Sequence, residues 1–201
     1  KKYIKGKVAE VGPGNGVNVE LYHQLSNKLD LYEPTKKLSK NLKNKFKLKK
    51  NIKIFNKKFS HKKNFYDTII YFDVIEHIKN YEGEIQNAYK SLKKNGHLII
   101  MVPAFQFLYS QFDKDLDHIK RFNKNDFKKI FKKKKINNYS MFYYDSVGYF
   151  LSLASKIITK DYKKNFGFKI KIWDKLIFLS RILDMILFYK VGKSLLAIIK
   201  K

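Results

Sequence analysis

The sequence predicts a doubly wound α/β fold, and three observations carry that prediction. The first is Lys7-Val8-Ala9-Glu10-Val11-Gly12-Pro13-Gly14-Asn15-Gly16, a short apolar strand that runs into a loop with glycine at every second position. Glycine lets the backbone turn sharply and approach a ligand closely, because no Cβ stands in the way. A strand that ends in such a loop ahead of a helix is the usual cradle for a nucleotide-like cofactor. The second is residues 68–72, a run rich in β-branched and aromatic side chains that reads as a buried strand. The third is the regular alternation of strand and helix patterns along most of the chain, with Pro34 and Pro103 closing two of the strands.

Taken in order, the first strand is expected over 8–11 and a helix over 17–25. The second strand, 29–34, ends in an acid and is stopped by Pro34. Glu33 stands 17 residues beyond Gly16, where a doubly wound fold puts the carboxylate that grips ribose hydroxyls. A helix follows over 35–50 with Thr35 as its cap, then a weak third strand over 51–55. After the fourth strand, Asp73-Val74-Ile75-Glu76-His77-Ile78 opens a loop at the strand's carboxyl end, the edge where open α/β sheets bind ligands. An amphipathic helix over 81–93 is expected to stop at Lys94-Asn95-Gly96, with Gly96 as a left-handed cap, and the fifth strand to run over 97–102. Asn123 caps a helix to about residue 132. Strands six and seven are expected over 136–144 and 194–199, with apolar helical stretches over 147–158 and 172–189 between them.

The chain has 201 residues and a formal net charge of +27. Such a balance ordinarily suggests nucleic acid or an anionic surface. Of 44 basic residues, however, only Arg121 and Arg181 are arginines, so the forks that favour phosphate are nearly missing. The abundant Lys, Asn, Ile, Phe and Tyr all have AT-rich codons, and genome composition suffices to explain the charge. Cysteine is absent, which excludes disulfides and thiolate metal sites. His23, His61, His77, His97 and His118 lie singly, without the paired spacing of zinc ligands, so no metal site is expected. No uncharged apolar stretch approaches the ~20 residues that a membrane span needs, and no signal peptide is visible. The chain begins at Lys1 rather than Met, which leaves room for a native segment ahead of it.

A dinucleotide loop, G-x-G-x-x-G, would need glycine at position 17, where Val17 stands. Glu10-x-Gly12-x-Gly14-x-Gly16 instead resembles the first motif of the class I S-adenosylmethionine-dependent methyltransferases. Asp73-Val-Ile-Glu76-His77-Ile resembles that family's D-x-x-L-E-H-I, and the helix, Lys-Asn-Gly turn, apolar strand and proline resemble its L-K-P-G-G-x-L-x-x-x-V-P. The resemblance implies one Rossmann-like methyltransferase domain over 1–201. Its sheet would have seven strands, the last antiparallel, with a helical insertion over 145–192. The cofactor implied is S-adenosyl-L-methionine, held by Glu10, Gly12, Gly14, Gly16 and Glu33, with Asp73, Val74 and His77 at the next strand's end. Asn56 and Lys57 stand where the family often has an aspartate against adenine.

After the fifth strand, Val102-Pro103-Ala104, Leu108-Tyr109, Asp113 and Asp117-His118-Ile119-Lys120-Arg121-Phe122 look like a subgroup with V-P-A, L-Y, D and G-H-x-R-R-Y; Asp117, Lys120 and Phe122 depart from it. His118 is the base candidate for a hydroxyl acceptor, Asp113 its orienter, and Arg121 a holder of an anionic group. The resemblance implies methyl transfer to a small or lipid-linked acceptor, with oxygen as the expected atom. The rivals are an RNA methyltransferase or basic nucleic-acid binder and a non-catalytic cofactor-fold interaction protein. The inserted helices, flanked by Lys171, Lys175, Lys190 and Lys193, read as a lid, a homodimer element or an interfacial helix on anionic lipid; Ser180, Arg181 and Asp184 are almost the whole polar face of the second, and a helix lying flat is expected to turn its charges to water. The expected location is cytoplasmic, with the inner membrane face as the variant of it.

Overall fold

In a computed structural model, residues 2–158 and 166–201 are described, apart from the side chains of 155–175. Seven strands form one sheet: β1 (Lys7–Val11), β2 (Lys28–Tyr32), β3 (Ile52–Phe55), β4 (Tyr66–Phe72), β5 (Leu92–Pro103), β6 (Tyr139–Tyr144) and β7 (Ser194–Lys200). Their order across the sheet is β3-β2-β1-β4-β5-β7-β6. β1 to β5 pair in parallel, and β7 runs antiparallel to both β5 and β6. The expected seven-stranded sheet with an antiparallel last strand is therefore present.

The helices are α1 (Val17–Glu20), α2 (Lys36–Lys45), α3 (Tyr81–Ser91), α4 (Gln111–Asp115), α5 (Lys124–Lys133), α6 (Ser146–Ile158) and α7 (Phe166–Ile186). Strand side chains alternate between faces, and the core divides accordingly. Ala9, Val11, Ile69, Tyr71, Leu98 and Ile100 pack with Ile85 and Ala88 of α3 and with Phe127, Ile130 and Phe131 of α5. Val8, Leu29, Leu31, Ile70 and Ile99 face the other way, onto Val19, Leu42 and Phe46. Each such buried side chain contributes about 1.5–3 kcal/mol relative to exposure. Asn123 caps α5 as expected, accepting the Asp126 amide at 3.0 Å.

Several boundaries differ from expectation for physical reasons. The helix expected over 17–25 is one turn of α-helix followed by a 3-10 turn at His23–Leu25, and the exposed Val17 and Leu21 have no layer to cover them. Residues 46–50 lie beyond α2, and the Thr35 side chain makes no cap bond. The turn expected at 94–96 is an irregular part of β5. Asn95, not Gly96, takes the left-handed backbone (φ 63°), a conformation asparagine tolerates. A Cβ on Gly96 would sit 2.9 Å from the Lys93 carbonyl and 3.1 Å from that of Asp67, so glycine is there for close approach. β6 begins at Tyr139 rather than at residue 136.

α6 and α7 lie between β6 and β7. Expectations for residues 171–175, including the flanking Lys171 and Lys175, fall on side chains outside those described. The described part of α7 reverses the expected polarity. Asp184 is buried, not turned to water: its carboxylate accepts the Asp145 and Ser146 amides at 3.0 and 2.8 Å, capping α6. Ser180, also buried, donates to Asp145 at 3.0 Å. The apolar face is left outside, with Phe178 and Ile186 73% and 61% exposed. Among the described residues no helix is long and apolar enough to cross a membrane.

Candidate active site

The glycine loop leaves β1 at the carboxyl edge of the sheet, and its three glycines serve different ends. All have positive φ. A Cβ on Gly12 would meet Val74 at 2.6 Å, and one on Gly16 would meet Leu42 and Phe46 at 2.7 and 2.8 Å. Those two glycines let the loop lie flat against β4 and α2. Around Gly14 a Cβ would find nothing among the described residues within 4 Å, so the space above it is open. Glu33, buried at the end of β2, closes one side: it accepts the Gly14 amide at 3.2 Å and the Thr35 amide at 2.9 Å. The exposed Asn56 donates its amide to the Glu33 and Pro34 carbonyls at 3.1 and 3.0 Å, tying the β3 end to the β2 end beside this cradle. An open space bordered by bare backbone and a fixed carboxylate fits S-adenosylmethionine.

Beneath the loop, Glu10 is 2% exposed and accepts the hydroxyl of Tyr22. Burial raises its carboxyl to about 7, against the lowering effect of that hydrogen bond. Because the folded value lies above the unfolded one of about 4.3, its contribution to stability is complete below pH ~4.5 and is lost as pH rises through 7. Glu10→Gln keeps a Tyr22 partner without the charge. Urea melts at pH 5 and 8.5 are expected to show the parent losing roughly 2–3 kcal/mol more than the variant over that interval; equal losses would remove Glu10 as the cause.

A cleft of about 270 Å³ opens beside the cradle, between the ends of β4, β5 and β7. Asp73, Glu76, His118, Arg121, Asp145 and Lys193 supply its polar wall, with Phe112 and Leu116 opposite in character. Val74 packs under Gly12 while its neighbour Asp73 lines the cleft, so this pair forms the boundary between cradle and cleft. Asp73, Phe105, Asp117 and Asp145 all have positive φ, a concentration of sparsely populated backbone around one cavity.

The loop after β5 builds the wall. α4 opens with Ser110 and Asp113 capping one another. Asp113, fully buried, accepts Arg121 Nε at 2.8 Å and Nη2 at 3.0 Å, and sits 2.9 Å from His118 Nδ1. Burial works against its charge, but the bonds from Arg121 and His118 outweigh that and hold the carboxyl below its ordinary value. The structure thus brings Asp113 and His118, expected as orienter and base, into hydrogen-bond contact. Arg121 differs from expectation: its fork is taken up by Asp113, with Nη1 on the Ala104 carbonyl at 3.4 Å, which leaves it a support rather than a free anion clamp.

Two backbone links bring distant segments together. Ile119 N–H donates to the Glu76 carbonyl at 2.8 Å, and Phe122 donates to that of Pro103 at 2.9 Å. His118 thereby lands against His77, ring centroids 4.8 Å apart at 74°. The imidazole of His77, at the exposed edge, is lowered by partial burial and by the His118 ring. Glu76 is fully buried, and among the described residues neither of its carboxylate oxygens has a hydrogen-bond partner. Burial, with the charges of Asp73 and Asp113, raises it to about 8. The histidines that look scattered in sequence are therefore not all isolated.

Three residues of the wall escaped the sequence reading. Glu76 stood inside a quoted motif without a role, Asp145 had no motif, and Lys193 read as a surface flank of the apolar stretch. Lys193 is drawn into the cleft because β7 enters the sheet beside β5, where Ala104 N–H bonds the Lys193 carbonyl at 2.7 Å. Burial lowers its ammonium to about 8.

An antiparallel last strand is what the resemblance to class I S-adenosylmethionine-dependent methyltransferases requires, and the sheet meets it. Residues 4–139 match the model of a family described as a methyltransferase domain, and the chain belongs to that family. None of the curated proteins matches the chain. Among solved structures, YcgJ from Bacillus subtilis is 12% identical over 68% of this chain and 64% of its own, with a TM-score of 0.62. Phosphoethanolamine N-methyltransferase 2 of Haemonchus contortus, in complex with S-adenosyl-L-methionine, is 14% identical with a TM-score of 0.67; the match covers 100% of this chain and 50% of that one. A S-adenosylmethionine-dependent methyltransferase from Archaeoglobus fulgidus is 14% identical over 99% of this chain and 87% of its own, with a TM-score of 0.63. The chain therefore spans half the length of the Haemonchus enzyme and less than two thirds of the Bacillus protein.

Proposed function

We propose that the protein methylates an oxygen of a small or lipid-linked acceptor, with S-adenosylmethionine in the cradle and the acceptor in the adjoining cleft. The observation that carries this reading is the Asp113–His118 pair standing beside Glu76 in a cleft that shares the Asp73-Val74 boundary with the glycine cradle. When bound, the cofactor supplies an electrophilic methyl on a sulfonium. Gly14 leaves room for it, Glu33 takes the ribose hydroxyls, and Glu10 supports the loop from beneath. Methyl transfer is an in-line displacement, so the protein's main work is to hold the acceptor oxygen in line and to ease loss of its proton. The wall of Glu76 and His118 serves the second task, with Asp113 and Arg121 positioning His118. The outward apolar face of α7 supports the lipid-linked member of the acceptor pair.

Glu33→Ala is expected to weaken S-adenosylmethionine by about 1.5–3 kcal/mol in calorimetry, the range for hydrogen bonds to a charged group, with the melting transition retained. An unchanged dissociation constant in a folded variant removes the ribose assignment. For the acceptor, the protein is incubated with methyl-labelled cofactor and either the soluble or the lipid fraction of a cell extract. A mass shift in the lipid fraction supports the lipid-linked reading, one in the soluble fraction a small acceptor, and none in either overturns the proposed activity.

A further inference from the structure

Glu76, His77 and His118 each present a ligand atom, and these atoms lie within 4.8 Å of one another. We infer that the three hold a divalent transition-metal cation at the side of the cleft that Glu76 and His118 line. The site rests on these side chains alone; its role in methylation rests on the function proposed above.

The donor set argues for a metal in three ways. Glu76 is fully buried with both carboxylate oxygens unpartnered among the described residues, a condition that native interiors rarely tolerate without a function. It lines the same cavity as His118, so its oxygens and that ring share one space. Nδ1 of each imidazole is already engaged: in His118 with the Asp113 carboxylate at 2.9 Å, and in His77 with the Asp117 carbonyl at 3.3 Å. In each ring Nε2 is the nitrogen left over. A carboxylate or a carbonyl behind the histidine is the arrangement that fixes a metal-binding tautomer. Metal–nitrogen bonds of about 2.1 Å require the three ligand atoms to draw together by about an ångström, a movement open to His77 at the exposed edge.

Two imidazoles and one carboxylate suit Mn²⁺, Co²⁺ or Zn²⁺ rather than the all-oxygen preference of Mg²⁺ and Ca²⁺. Three protein ligands leave coordination positions open to the cleft, as catalytic sites do. Asp73, on the same wall, adds negative charge, while the cationic Arg121 is already matched by Asp113. An acceptor hydroxyl bound there loses its proton to water at the cleft mouth more readily, because the cation stabilises the oxyanion. The oxygen's lone pair then forms the new C–O bond to the methyl carbon as the C–S bond breaks, and that bond's electron pair stays on sulfur. The metal keeps its oxidation state throughout.

The test is metal binding by the whole chain, without acceptor. Protein freed of metal with a chelator is titrated with Co²⁺ followed by visible absorption, and with Zn²⁺ followed by calorimetry. One equivalent is expected to bind, with ligand-field bands of a nitrogen- and oxygen-ligated Co²⁺. Glu76→Gln keeps the shape of the buried side chain and His77→Ala removes an exposed ring, so both variants are expected to fold and to bind at least tenfold more weakly. His61→Ala, whose ring is bonded to Ser91, is expected to bind like the parent. Absence of a stoichiometric site, or parent-like affinity in both Glu76→Gln and His77→Ala, overturns the proposal. Calorimetry with S-adenosylmethionine on the same preparation separates the two readings: failure there removes the methylating role and leaves a measured cation site standing.

Discussion

Gly14→Phe is expected to abolish S-adenosylmethionine binding and to leave the fold in place. The built Cβ meets nothing within 4 Å, so the ring enters the open cradle rather than the core. The positive φ of 56° at this position costs a non-glycine residue about 1–2 kcal/mol, which lowers the melting temperature without unfolding the protein. A filled cradle is expected to lose at least a hundredfold in affinity, about 2.8 kcal/mol at 1.4 kcal/mol per decade. Gly16→Ala gives the contrasting result. Its Cβ collides with Leu42 and Phe46 in the smaller core, so stability falls first and binding only as a consequence. Calorimetry and thermal melting on both variants separate the two glycines; a Gly14→Phe protein that binds like the parent places the cofactor elsewhere.

His118→Ala is expected to reduce turnover on the acceptor by about 10²–10⁴-fold, the usual contribution of a group that eases proton removal. Cofactor affinity is expected to stay within about threefold of the parent, because His118 stands on the cleft wall and not at the Gly14 cradle. The ring is mostly enclosed, and its loss leaves Asp113 with Arg121 as a bidentate partner, so the fold is retained. Initial rates at saturating cofactor, set beside calorimetric affinity, are the measurement. A variant that loses cofactor affinity instead would move this loop over the nucleotide.

The sheet and the cradle were legible in the sequence because local rules govern them. β-branched runs, alternate glycines and terminal prolines act over a few residues, and an acid at a strand end needs only the strand to be found. What escaped depends on the packing of distant segments. His77 and His118 are 41 positions apart and meet only because the loop after β5 folds back to bond the Glu76 carbonyl. Lys193 carries the same charge as its surface neighbours, and only the insertion of β7 turns it into the cleft. The reversed polarity of α7 was hidden for a similar reason: Ser180 and Asp184 read as a thin solvent face until the amides at the start of α6 are seen to need them. Gly96 read as a left-handed cap because its close approach to the Asp67 carbonyl, a long-range contact, is not recorded in any local pattern.

The position of β7 has a consequence for how the molecule comes into being. Among the described residues β6 has no sheet neighbour except β7, and β5 has no other on that side, yet β7 begins at Ser194, after α6 and α7 have been made. Until that strand is synthesised, β6 waits without its hydrogen bonds and β5 shows a bare apolar edge to the cell, the kind of surface that pairs with other chains. The parallel half of the sheet has its partners earlier in synthesis. On the ribosome the molecule is therefore expected to mature in two stages, its parallel half ahead of the cleft wall, with the slow, long-range closure of β7 as the step most exposed to aggregation and to chaperones.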